Sequence, residues 1–308
     1  VSASAVVFAY HDVGVRCLAV LLAGGVDVRL VVTHEDNPAE NIWFGSVRRL
    51  AEEHGIAVIT PADPNVPEVV ARVRDCRADF LFSFYYRHML KAPLLQSVTR
   101  GAYNLHGSLL PKYRGRVPIN WAVIRGESET GATLHLMNEK PDNGAIVGQR
   151  AVPILPDDTA HEVFGKVLVA AELVLVEQLP RLLDGTATLT PQNLAAGQYF
   201  GGRKPEDGRI DWSQPAQTVH NLVRGVTRPY PGAFSDTGAG RLVVWRTRVD
   251  TAPAAGRDAA PALLAEDGRL RARAGDGRRL IVLDAELAGR PLDAARLRAE
   301  HGGALALR

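Results

Sequence analysis

With 308 residues, 46% of them hydrophobic and 23% charged, the chain has an ordinary globular composition and can fill one large core or two without disulfide or metal staples. The net charge of +2, with both signs interspersed, shows no broad basic face for a polynucleotide, although a local patch can hide inside a balanced total. Cys17 and Cys76 are far apart and lack metal-ligand spacing, so neither a disulfide framework nor a zinc site is indicated and a reducing cytoplasm is expected.

The N-terminal Val-Ser-Ala-Ser enters an apolar segment with no export-signal pattern, and no apolar run approaches membrane-spanning length. AVVFAY (5–10) reads as a strand and VGVRCLAVLLAGG (13–25) as a helix stopped by a Gly pair. VRLVVTH (28–34), SVRRLAEEHG (46–55), IAVIT (56–60), PEVVARVRDC (67–76) and DFLFSFYY (79–86) continue the alternation. Continuously apolar strands suit a parallel sheet covered on both faces, hence a doubly wound, Rossmann-like α/β domain. GATLHLMNE (131–139) and GAIVGQRAVPI (144–154) predict an appended hairpin, and residues 159–185 a long helix opened by a Thr159-x-x-Glu162 capping box.

Beyond a polar stretch at 190–209 the chain changes to short strand candidates at 241–249, 261–267 and 278–287. These predict a small, OB-like β-barrel. The expected organisation is a catalytic domain over 1–189, a linker over 190–204 and the barrel domain over 205–308. The Ala/Pro-biased 250–262 segment reads as a mobile surface loop.

The first strand is followed by YHDVG rather than Gly-x-Gly-x-x-Gly, so a dinucleotide cradle is unsupported. Open α/β sheets still bind ligands beyond the carboxyl ends of their strands, which directs attention to YYRHML (85–90) and NLHGSLLP (104–111). Asn104 and His106, two apart at a strand end, share one side of the sheet. A carboxamide and an imidazole facing one point suit acyl-type transfer to an amine, stabilising an oxyanion and moving a proton. Asp142, in EKPDNGA, is the candidate carboxylate to orient the ring; equally, Asn-x-His can be a strand-end turn pair and Asp142 an ordinary turn residue. His11, Asp12, His34 and Asp36 lie at strand ends and read as surface polar turns rather than metal ligands, and His135 reads as a structural histidine.

NLHGSLLPKYRG with NEKPDNGAIV downstream resembles the 10-formyltetrahydrofolate-dependent formyltransferase family, which carries an Asn-x-His-x-Ser-Leu-Leu-Pro signature and a downstream Asp. VVFAYHDVG, FSFYYRHML, GESETG (126–131), WSQPAQTVHNLVRGV (212–226) and PYPGAF (229–234) extend the likeness over nearly the whole chain. It is greatest to the branch acting on UDP-4-amino-4-deoxy-L-arabinose in lipid A modification and polymyxin resistance; other branches formylate methionyl-tRNA or other nucleotide-linked amino sugars.

The resemblance implies His106 as proton carrier, Asn104 as transition-state stabiliser and Asp142 as the group that raises the His106 pKa. It implies 10-formyltetrahydrofolate as co-substrate and no metal. The pterin end would be gripped by the segment His88, Met89, Leu90 and by the loop Asn138, Glu139, Lys140, Pro141, Asp142. That loop reads NEKPD here, where arabinose-type relatives are more basic, which places backbone contacts ahead of side-chain ones. Arg116, after KYRG, is Arg in the arabinose type and usually Ala in the tRNA type; the resemblance sets it between formyl donor and sugar nucleotide. Arg203 falls where relatives carry an Arg-Arg pair whose first member is Gly202 here, which leaves diphosphate binding or a different sugar open. Arabinose-type enzymes are often fused to a dehydrogenase domain, for which the chain to Arg308 leaves no room, so formyl transfer alone is expected. A different amino sugar, methionyl-tRNA, or a non-catalytic folate or nucleotide-sugar binding subunit remain as alternatives.

Overall fold

In the computed structural model, which describes residues 3–252 and 260–307, the apolar runs of the first half become the strands of a mixed sheet. These are β1 (Ser4–Ala9), β2 (Asp27–Val32), β3 (Val58–Ile59), β4 (Phe80–Phe84) and β5 (Ala102–His106); the short β6 (Arg114–Gly115) precedes the hairpin strands β7 (Glu129–Leu136) and β8 (Ile146–Pro153). The sheet order is β3-β2-β1-β4-β5-β7-β8, with the first five strands parallel to one another and the β5–β7 and β7–β8 pairings antiparallel. Every residue of β1 and β4 is buried, which explains why these strands read as unbroken apolar runs rather than alternating ones. The connecting helices are α1 (His11–Ala23), α2 (Val47–Glu53), α3 (Pro67–Asp75) and α4 (Ala92–Leu95), followed by α5 (Pro118–Ile124) and α6 (Ala160–Asp184). The capping box closes as expected: Thr159 Oγ1 accepts from Glu162 N at 3.2 Å, and Glu162 Oε2 accepts from Thr159 N at 2.7 Å.

Parallel strands all end on one edge. Ala9, Phe84 and His106 therefore present the loops that follow β1, β4 and β5 to the same side of the sheet, and the strand order reverses between β1 and β4. A two-residue β9 (Tyr199–Phe200) pairs in parallel with β6 and ties the polar stretch after α6 to the loop after β5.

The second half forms a near-closed antiparallel barrel: β10 (Ala233–Thr237), β11 (Gly240–Val249), β12 (Ala262–Glu266), β13 (Arg269–Arg273), β14 (Arg279–Leu287), the two-residue β15 (Arg290–Pro291) and β16 (Ala304–Ala306), in the order β10-β11-β14-β13-β12-β16 with β15 on β14. Helices α7 (Ala216–Val226) and α8 (Ala294–His301) accompany it. The barrel core includes fully buried Trp212, Val223, Leu242, Val244, Leu263 and Leu280. Of the loop expected at 250–262, residues 253–259 lie outside the described residues.

Two compact units result. One runs to Pro118 and takes in Glu129–Pro153 and Gly165–Gly201; the other comprises Ile119–Ser128, Ile154–Phe164 and the chain from Gly202 onward. In the second unit a buried polar cluster on α7 holds the two inserted segments. Arg224, 6% exposed, donates to Asn221 Oδ1 at 2.9 Å, to the carbonyls of Asp158 at 3.0 Å and Leu155 at 3.4 Å, and to Val123 O at 3.4 Å. His220 Nε2 donates to Pro156 O at 3.0 Å while its Nδ1 meets Thr247 Oγ1 at 2.9 Å. Asn120 donates to Gly225 O at 2.9 Å. Among the described residues no helix is long and apolar enough to cross a membrane.

Candidate active site

Strand β5 carries Asn104 and His106 on one face, as its two-residue period requires. The antiparallel register of β5 with β7 sets Asn104 opposite His135 and His106 opposite Thr133. Beyond β7 the hairpin loop returns Asp142 to the same place. Its carboxyl Oδ1 lies 3.6 Å from His106 Nδ1 and 3.6 Å from His135 Nε2, and Oδ2 accepts from Gly115 N at 2.8 Å. His135 Nε2 is 3.2 Å from Asn104 Nδ2. Asn104, His106 and Asp142 are thus brought together, and His135, read as structural from the sequence, joins them.

The local backbone explains this convergence. Asp142 is left-handed (φ +55°), a conformation that Asp tolerates better than most side chains. Two residues on, a Cβ at Gly144 would stand 1.7 Å from Leu136 O, so only glycine lets the loop close on β7. Gly115 (φ +100°) meets the same limit, because its Cβ would lie 2.1 Å from Phe200 O. Its N–H is the one donated to Asp142, so the β6–β9 pairing fixes a donor on the carboxylate. Gln192 adds a second tie by donating to the carbonyls of Asp142 at 2.9 Å and Gly144 at 2.7 Å.

Burial raises the affinity of the Asp142 carboxyl for a proton, but the charge of a protonated His106 beside it and the Gly115 N–H outweigh it and hold the group well below the usual carboxylate range. Asp142 is therefore ionised. His106 is 7% exposed, and its Nε2 lies 2.8 Å from Tyr113 O. A carbonyl only accepts, so Nε2 carries a hydrogen, and Nδ1 faces the Asp142 carboxylate. Tyr113 is itself left-handed (φ +56°) and stacks on Phe200 with centroids 5.0 Å apart.

At the end of β4, His88 and Met89 are exposed, Met89 by half, whereas Leu90 is buried in the core beneath. Met137, at the root of the hairpin loop, packs on that same core, and Asn138, Glu139 and Lys140 beyond it are exposed, with Asn138 Oδ1 accepting from Lys140 N at 2.9 Å. Pro141 is half-buried. Leu90, being buried, could offer a ligand only its backbone.

The two arginines of the loop after β5 differ. Arg114 is spent on Asn143 Oδ1 at 2.8 Å and on the carbonyls of Leu194 and Gly197, both at 3.3 Å. Arg116 is exposed, its N–H bonds Phe200 O at 2.9 Å, and its guanidinium has no acidic partner among the described residues. In the second unit Arg203 stands over the Trp121 ring, 4.7 Å from its centroid, and donates to Asp207 O at 2.6 Å, so it is a half-buried stacked cation rather than a freely solvated one. Of the strand-end polar residues, Asp12 accepts from Gly45 N at 2.7 Å, Asp36 accepts from the Tyr10 hydroxyl at 2.7 Å, His11 stacks on Phe44 and His34 on Tyr86. Among the described residues no cluster of three or more His, Cys, Asp or Glu could hold a metal ion.

The sequence missed His135 and Gly115. His135 is 31 positions from Asn104 and only the β5–β7 register joins them; nothing in KYRG marks its Gly as a donor to Asp142.

Comparison with known proteins bears on this arrangement. The formyl transferase family model matches residues 15–179, and the model of the formyl transferase C-terminal domain matches 203–300. Among solved structures, the chain is similar to WlaRD, a sugar 3N-formyl transferase solved in the presence of dTDP and 5-N-formyl-THF (16% identity, TM-score 0.70, covering 92% of this chain and 97% of that one). It is also similar to an N-formyltransferase from Helicobacter canadensis in complex with folinic acid and dTDP-3-aminofucose (18%, 0.67, 92% and 99%). HypX from Aquifex aeolicus, in complex with tetrahydrofolic acid, aligns over 96% of this chain but 47% of its own length (17%, 0.62). At these identities the likeness establishes the fold.

Proposed function

Because the chain belongs to the formyl transferase family and is an enzyme of that family, we propose that it moves a formyl group from 10-formyltetrahydrofolate to the amine of a nucleotide-linked sugar. The observation that carries this reading is the ionised Asp142 beside His106, with the Asn104 carboxamide on the same strand face. The sugar amine attacks the formyl carbon. Asn104 donates to the oxygen as it becomes an oxyanion. His106 takes the proton lost by the amine, the charge of Asp142 stabilises the imidazolium that forms, and the proton passes to N10 of the folate as the tetrahedral adduct collapses. Water exclusion around His106 strengthens each of these interactions.

For the acceptor, Arg116 is the informative residue. An exposed guanidinium with no acidic partner among the described residues suits a diphosphate, which it can bind bidentately, while Arg114 holds its loop in place. The sequence resemblance makes UDP-4-amino-4-deoxy-L-arabinose the first acceptor, with lipid A modification as the consequence, and Arg203 a second contact for its charge. The segments His88–Leu90 and Asn138–Asp142 would take the pterin end of the folate. Two relatives of this fold whose structures contain dTDP or a dTDP-linked amino sugar support a nucleotide-linked acceptor.

The test offers the purified protein 10-formyltetrahydrofolate with a panel of UDP-, dTDP- and GDP-linked amino sugars and methionyl-tRNA, and detects the product by mass. Formylation of a UDP-linked amino sugar is expected. Formylation of methionyl-tRNA alone would replace the reading.

A further inference from the structure

His135 lies 3% exposed across the strand pair from Asn104, and its two ring nitrogens meet different kinds of partner. Nδ1 is 2.9 Å from Leu136 O. That carbonyl can only accept, so Nδ1 bears a hydrogen. In the neutral ring Nε2 is then a lone pair, and the group 3.2 Å away is the Asn104 amide nitrogen, which can only donate. For the neutral ring the two assignments close in one way: Asn104 donates one N–H to His135 Nε2. No other protein partner of the Asn104 carboxamide is found among the described residues, so its second N–H and its oxygen stay available. A protonated His135 would face Asn104 with a donor against a donor, turn towards Asp142 Oδ1 at 3.6 Å, and favour the flipped amide that presents its oxygen instead.

We propose that His135 is a positioning residue acting through Asn104: its neutral, Nδ1-protonated ring holds the carboxamide in the orientation that leaves an N–H for the developing oxyanion. The groups facing its ring are Asn104 of β5, Asp142 of the hairpin loop and the Leu136 carbonyl of its own strand. The proposal rests on the formyl-transfer reading for its kinetic part and on geometry alone for its tautomer.

Two measurements test it. The first is 15N NMR of the histidine-labelled protein at neutral pH, with His135 assigned by loss of its signals in His135→Gln. A pyridine-type Nε2 and a pyrrole-type Nδ1 are expected, and the reverse tautomer or an imidazolium would overturn the proposal; the spectrum needs no turnover, so it stands or falls apart from the formyl-transfer reading. The second is kinetic. His135→Leu, which removes the acceptor, should lower kcat by about 10- to 100-fold with KM little changed, a part of the loss seen when an oxyanion donor is deleted. His135→Gln, which can again accept, should recover most of that rate. In an Asn104→Ala background His135→Leu should cost nothing further. An additive loss there, or full kcat in a folded His135→Leu enzyme, would contradict the proposal.

Discussion

Each unit of the molecule buries a polar cluster that contains histidine, yet the two clusters are built on opposite terms. Around Arg224 each guanidinium nitrogen ends on a fixed acceptor, three carbonyls and Asn221 in all, and His220 Nε2 ends on Pro156 O. Around Asp142 the partners are kept short of closure. The carboxylate stands 3.6 Å from two imidazole nitrogens, and Asn104 spends only one N–H. A saturated cluster holds segments together and has nothing left to offer a ligand. An unsaturated one retains hydrogen-bonding capacity at a buried site, and that capacity is what a reacting carbonyl can use. The difference identifies the chemical site without reference to which residues a family uses.

The comparison breaks if substitutions in the two clusters fail to separate activity from stability. The largest effect is expected for Asn104→Ala and His106→Ala, each lowering kcat by about 100- to 1000-fold in formyl-transfer assays, with the unfolding midpoint close to wild type. Arg224→Met should do the reverse. Leaving the carbonyls of Asp158, Leu155 and Val123 unpaired should cost about 2 to 4 kcal/mol in denaturant unfolding, while kcat per folded molecule is retained. Arg116→Ala is expected to raise KM for the sugar nucleotide about tenfold, as loss of one charge-assisted contact would, with KM for the folate unchanged in steady-state kinetics.

The smallest effect concerns a half-buried histidine outside both clusters, which sharpens the contrast. His34 follows β2 on the same sheet edge as the end of β5, with Nε2 accepting Arg87 N–H at 3.1 Å and its ring stacked on Tyr86. Burial, with the neighbouring His88 and Arg87, lowers its pKa to about 4 from the ordinary 6.5. The folded state therefore refuses a proton that the unfolded chain takes up. Stability from this group is full above pH 6.5 and falls away as the pH drops towards 4. His34→Gln keeps an acceptor for Arg87 and cannot titrate, so its pH–stability curve should be flatter than wild type over that window; parallel curves would exclude the effect.

What the sequence disclosed followed from local rules. Buried parallel strands read as apolar runs, the Thr159–Glu162 box announced α6, and Asn104-x-His106 revealed a shared face because strands repeat every two residues. Asp142 was accessible through its Asp-Asn-Gly loop. The parts that stayed hidden depend on register and chain return. His135 acquires its partner only when β5 and β7 pair, Gly115 becomes a donor only when the β6–β9 pairing forms, and no local pattern assigns residues 119–128 and 154–164 to the barrel unit, where His220 reaches Pro156 over 64 positions and Arg224 reaches Val123 over 101. The difference between Arg114 and Arg116 was likewise invisible in KYRGR, because both are arginines until one finds Asn143.

The most direct measurement is single-turnover formyl transfer from 10-formyltetrahydrofolate to UDP-4-amino-4-deoxy-L-arabinose, with product mass followed for wild type and His106→Ala. The account predicts a sugar nucleotide carrying one added formyl group from wild type and almost none from the variant over the same interval. A wild-type enzyme that binds both substrates and leaves the sugar nucleotide unchanged, or a variant that matches it, would contradict the account.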